Sequence, residues 1–127
     1  MMSPVAARIY ERIKALTKER DDLNNQIKKI TQDKESVKKS IHHTEMAILS
    51  EGAVSAADGY PDIRLANELR ELKKEKQTLQ HDDDELKTLH NKYANLIKKI
   101  DSYQFWMHYA DTSDIAHQQA AEKKVFG

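Results

Sequence analysis

IYERIKALTKERDDLNNQIKKI, residues 9–30, is the stretch whose reading decides the fold. Its aliphatic residues stand at Ile9, Ile13, Leu16, Leu23, Ile27 and Ile30. Steps of three, four and seven place them on one stripe of a helix, and charged and amide side chains take most of the remaining surface. The pattern runs on in the C-terminal direction. Ile9, Leu16, Leu23, Ile30, Val37 and Thr44 form one seven-residue series, and Ile13, Arg20, Ile27, Lys34, Ile41 and Ile48 form a second, which are the d and a positions of a heptad seam. Upstream, Ser3 can cap free N–H groups and Pro4 fits a first helical position. Nothing interrupts the helix before Gly52. A first helix over about 4–50 is predicted, roughly 70 Å long at ~1.5 Å per residue.

Residues 51–61, EGAVSAADGYP, hold two of the three glycines and one of the two prolines, and predict a turn. A second helix over about 62–110 follows, with Pro61 and Asp62 suited to its first turn. Leu65, Leu72, Leu79, Leu86, Tyr93 and Ile100 supply its d series, while Leu69, Lys76, Asp83, His90, Ile97 and Gln104 are read as its a series. Of the 24 seam positions so assigned, 17 are apolar, against 39% for the whole chain, so the heptad is not a chance alignment. Antiparallel pairing with residue numbers adding to 113 sets Ile48 on Leu65, Ile41 on Leu72, Ile27 on Leu86, Leu16 on Ile97 and Ile13 on Ile100, and leaves a short connection. The fold expected is all-α: a long antiparallel two-helix coiled-coil hairpin. Past the polar cluster at Asp111, Thr112, Ser113 and Asp114, a short C-terminal helix or tail occupies about 112–125.

Composition agrees with a single helical element. The chain has 127 residues, 33% of them charged, with 21 basic and 21 acidic side chains. That profile suits a long solvated helix better than a compact globule. The balance argues against a phosphate-neutralising surface. Up to residue 50 there are ten basic and seven acidic residues, and beyond it eleven and fourteen, a mild complementarity between the two arms. Without cysteine there is no disulfide and no thiolate metal site. No apolar run reaches the ~20 residues of a membrane span. The opening residues carry Glu11 and no continuous apolar segment, so a soluble intracellular, cytoplasmic protein is expected, with no membrane insertion.

Motifs for chemistry are absent. There is no glycine-rich phosphate loop, no serine elbow and no separated carboxylate pair facing a cleft, so no enzyme, cofactor or catalytic residue is expected. His81, Asp82, Asp83, Asp84 and Glu85 are consecutive and point in different directions around a helix, and His42 and His43 lack the i, i+4 spacing; no metal is proposed. The polar seam residues Arg20, Lys34, Lys76, Asp83 and His90 are read as register control, with Lys34 beside Asp83 and Arg20 beside Tyr93. Lysine pairs at 28–29, 38–39, 73–74 and 98–99 are interleaved with Asp33, Glu35, Glu71 and Glu75, as on a mixed solvated face. A nucleic-acid-associated protein using those pairs is the alternative reading.

YQFWMHY, residues 103–109, departs from the seam by placing large apolar groups all around the helix. Upstream, Leu89, Leu96 and Tyr103 add a further seven-residue stripe beside the d positions. One partner helix cannot cover both surfaces. Either Val5, Ile9, Tyr10 and a tail carrying Ile115, Ala116, Ala120 and Val125 fold over this end, or Tyr103, Phe105, Trp106, Met107, Tyr109, Leu89 and Leu96 form a docking surface for a protein partner or a second copy. Architecturally the hairpin resembles the coiled-coil arms of prefoldin-type chaperones and the short stalk proteins of flagellar and type III secretion ATPases, a likeness of two long helices and a turn that transfers no residue. The function expected is a non-catalytic interaction, scaffold, adaptor or assembly subunit whose sticky helical end docks.

Overall fold

A computed structural model describes residues 2–58 and 63–127, together with the side chains of all these except 51–58. It is all-α: α1 spans Pro4–Asp58, α2 spans Ile63–Ala110 and α3 spans Ile115–Phe126. The first two make a helical hairpin and the third is the short C-terminal helix. Packing divides into two compact units, one of residues 1–26 and 89–127 and one of residues 27–88.

α1 begins where serine and proline chemistry places it. The Ser3 hydroxyl accepts from the Ala6 N–H at 3.1 Å and donates to the Ala110 carbonyl at 2.5 Å, so one side chain caps α1 and ties it to the last turn of α2. α1 does not stop near residue 50 as expected but runs through Gly52 to Asp58. A lone glycine costs a helix only about 1 kcal/mol relative to alanine, and the alanines at 53, 56 and 57 are the best helix formers available. Of the turn expected over 51–61, residues 59–61 lie outside the described residues, as does Asp62.

Along α1 the inward stripe follows the heptad: all twelve a and d positions from Ile9 to Ile48 are buried or half-buried. Along α2 the Leu65 to Ile100 series is likewise turned inward, but its companion is not the one expected. Leu69, Lys76, His90 and Gln104 face solvent, and the companion series is Glu68, Glu75, Asp82, Leu89, Leu96, Tyr103 and Ala110, one residue earlier. The reason lies in packing: Leu89, Leu96 and Tyr103 bury more apolar surface per heptad than His90, Ile97 and Gln104, and that outweighs the isolated Leu69. The stripe expected to need covering is therefore part of the seam.

The unit of residues 27–88 has a thin seam. Ile41 is its one buried apolar residue among those described. Half-buried aliphatic residues and polar pairs make up the rest. Glu75 accepts hydrogen bonds from the hydroxyls of Ser40 (3.1 Å) and Thr44 (3.1 and 3.2 Å), and Lys34 Nζ meets Asp83 Oδ1 at 2.5 Å. Lys34 with Asp83 is the adjacent-layer pair expected of the 113 register, and the Glu75 contact to Ser40 lies within one helical turn of the same register. Lys34 and Asp83 do pair across the helices, whereas Arg20 turns to its neighbour Asp21 at 3.2 Å.

The other unit holds the main core: Val5, Ala6, Ile9, Ile13 and Leu16 of α1, Leu96, Ile100 and Ala110 of α2, and Ala121 and Val125 of α3. Ile9 is the largest side chain with no exposure at all.

The change of inward face makes a sharp prediction for urea unfolding. Leu96, 8% exposed, should cost about 2–4 kcal/mol on truncation to alanine, while Leu69, 51% exposed, should cost less than about 1 kcal/mol. Equal losses, or a larger loss at Leu69, would restore the original assignment of the seam.

Candidate functional site

The aromatic end is built by the last three turns of α2 and the return of the chain as α3. After Ala110 the backbone turns sharply: the Asp111 N–H reaches the His108 carbonyl at 3.2 Å and the Thr112 N–H reaches the Ala110 carbonyl at 2.9 Å. Asp114 then caps α3, its carboxylate accepting from the Ala116 N–H at 2.9 Å, and its charge also suits the helix dipole. The Gln118 amide donates to the Thr112 carbonyl at 2.8 Å and pins the turn to the new helix. At the far end Gly127, at φ +91, takes the left-handed conformation that ends many helices, and its N–H bonds the Lys123 carbonyl.

α3 covers the aromatic end with its Ala121–Val125 edge. Those two residues are buried and Phe126 packs beside them. Ile115, Ala116 and Ala120, expected among the covering residues, face solvent, as does Tyr10 of α1, whereas Val5 and Ile9 are in the core as expected. Asp114 caps the helix immediately before Ile115, which lies in the first turn and away from the side that meets the core.

The residues singled out as a docking surface separate into three groups. Leu89 and Leu96 are buried in the seam. Tyr103, Trp106 and Met107 are half-buried and pack on the core. Phe105 and Tyr109 remain outside, 59% and 38% exposed. They lie one helical turn apart with rings stacked, 15° between planes and 6.2 Å between centroids. Trp106 backs both, edge-on at 4.9 Å to Phe105 and 5.4 Å to Tyr109, and His117 of α3 lies 4.5 Å from the Tyr109 ring. The result is a ledge of two exposed rings whose rotamers are braced from behind.

Cations decorate the rings around it. Arg8 and Arg12 sit 4.5 and 5.5 Å from the Phe126 centroid, Lys124 is 6.0 Å from Trp106 and Lys99 is 5.8 Å from Tyr103. Arg8 also reaches Glu122 at 2.6 Å, so α3 is held by charge as well as by burial. Several lysines of α1 are engaged with carboxylates, Lys14 with Glu11, Lys34 with Asp83 and Lys38 with Glu35. Among the described residues no group of three or more His, Asp or Glu gathers where a metal ion could sit, and no helix is long and apolar enough to cross a membrane.

No family model matches the chain, and neither the curated proteins nor the solved structures contain a significant match.

The cap is the weak point of the α3 lid. Replacing Asp114 with alanine should weaken α3 by about 1 kcal/mol. Iodide quenching of Trp106, the only tryptophan, should rise accordingly while the helical circular dichroism stays near that of the parent. Unchanged quenching would mean that α3 does not shield Trp106.

Proposed function

We propose that this chain is a non-catalytic interaction or assembly subunit that docks another protein through the aromatic ledge of α2. The observation that carries the reading is the stacked, solvent-facing pair Phe105 and Tyr109, braced by Trp106 and His117. Isolated exposed apolar residues need no explanation, but preorganised adjacent aromatics are the kind of group that anchors protein interfaces. Bracing lowers the entropy lost on binding, since the rings are already held. The remainder of the helix pair then serves as an arm that sets the position of whatever the ledge holds.

A photo-crosslinking amino acid in place of Phe105, used in the full chain in its native host, tests this. A discrete crosslinked protein is expected, and its yield should fall at least about tenfold when Tyr109 is changed to alanine, the usual scale for loss of an interface hot spot. No crosslink at Phe105, or a crosslink indifferent to Tyr109, would refute the ledge as the docking surface.

A further inference from the structure

α3 lies in a groove between α1 and α2, and that groove continues beyond it. The ring contacts of α3 go to Arg8 and Arg12 on α1 and to Trp106 and Tyr109 on α2. Moving one or two heptads along the same faces, Arg12 leads to Glu19 and Arg8 to Asp22, while Trp106 leads back to Lys99 and Lys92. These four residues rim an open groove of about 630 Å³, floored by Leu23, Leu89 and Leu96. The third-helix position is thus filled by α3 over its twelve residues and open immediately past its last turn.

The filled part shows what such a groove accepts. α3 buries two small apolar residues four apart, Ala121 and Val125, and sends Glu122 to the basic α1 rim. In the open part the rim charges change: α1 presents Glu19 and Asp22, and α2 presents Lys92 and Lys99. Among the described residues Glu19, Asp22 and Lys92 make no ion pair, and Lys99 only rests on the Tyr103 ring. Two rims of opposite sign flank an apolar floor.

We propose that the open groove seats an amphipathic helix of a partner protein, packed as a continuation of the third-helix position that α3 occupies. Its inner stripe is aliphatic or alanine, the flank over α1 carries Lys or Arg, and the flank over α2 carries Asp or Glu. Opposite rim charges select a helix whose two flanks differ in sign over one with both flanks alike. This surface is separate from the Phe105–Tyr109 ledge and shares with it only the reading of the chain as an interaction protein.

The test uses the full chain and stapled helical peptides of about 18 residues, roughly 27 Å long. One peptide has a Leu/Ala stripe with one Lys flank and one Glu flank, one has the same composition with Lys and Glu mixed on both flanks, and one has Glu on both flanks. Fluorescence anisotropy should show the split-flank peptide binding about tenfold tighter than the mixed one, a modest effect because exposed pairs are individually weak. The double change Glu19→Lys and Asp22→Lys, at exposed positions that leave the core intact, should move the preference to the peptide with two Glu flanks. Phe105→Ala should leave peptide binding unchanged, so that groove and ledge fail separately. Absence of binding, equal binding of all three peptides, or loss with Phe105→Ala would overturn the proposal. So would a dimer in sedimentation that dissociates on the Glu19 and Asp22 changes, which would give the groove to a second copy.

Discussion

A pair of helices can hide only the side chains that point at each other, and everything distinctive in the unit holding both chain ends follows from that limit. The seam between α1 and α2 buries Ile13, Leu16, Leu96 and Ile100, yet Val5 and Trp106 lie to one side of it. α3 is the remedy. By returning over that side with Ala121 and Val125 inward it converts a two-stranded contact into a three-helix core, and small residues let its backbone approach closely. Ser3 closes the same end from below, joining the start of α1 to the last carbonyl of α2.

The unit of residues 27–88 has no third helix among the described residues and is built differently. Its companion series on α2 is acidic at Glu68, Glu75 and Asp82; hydroxyls answer Glu75, and Lys34 answers the neighbouring Asp83. Glu68 Oε2 and Asp82 Oδ2 are shielded from solvent without a hydrogen-bond partner among the described residues, which costs stability. Polar seam groups of this kind stabilise less than leucine but penalise other registers, because a one-heptad slip would separate Lys34 from Asp83 and Glu75 from its hydroxyls. Exposed Met46, Leu49, Ile63 and Leu69 belong to this same unit.

Much of this was legible in the residues. The α1 stripe from Ile9 to Ile48 is unambiguous because both of its series are mostly aliphatic, and the hairpin follows from it. α2 was ambiguous because two series flank Leu65, Leu72 and Leu79: one carries Leu69 and Ile97, the other Leu89, Leu96 and Tyr103 but also three carboxylates. Charge hid the true seam, and the signal that could have found it was the unbroken apolar run toward Ala110. The overrun of α1 to Asp58 reflects alanine propensity outweighing one glycine. The aromatic end was recognised, but which rings stay outside depends on which face of α3 packs inward, and its Ala121–Val125 edge is too short to stand out as an apolar period. The groove beside α3 was not legible at all, since it exists only because three helices share one face for part of their length.

Native-state hydrogen exchange, comparing the parent chain with a Val125→Asp variant, tests the central claim that the seating of α3 on the helix pair creates the main core. The slowest amides of the parent should lie in residues 9–16 and 96–106, and the substitution should accelerate them while leaving exchange across 27–88 as it was. Slowest exchange in 27–88 of the parent, or slow amides indifferent to the change at Val125, would contradict it.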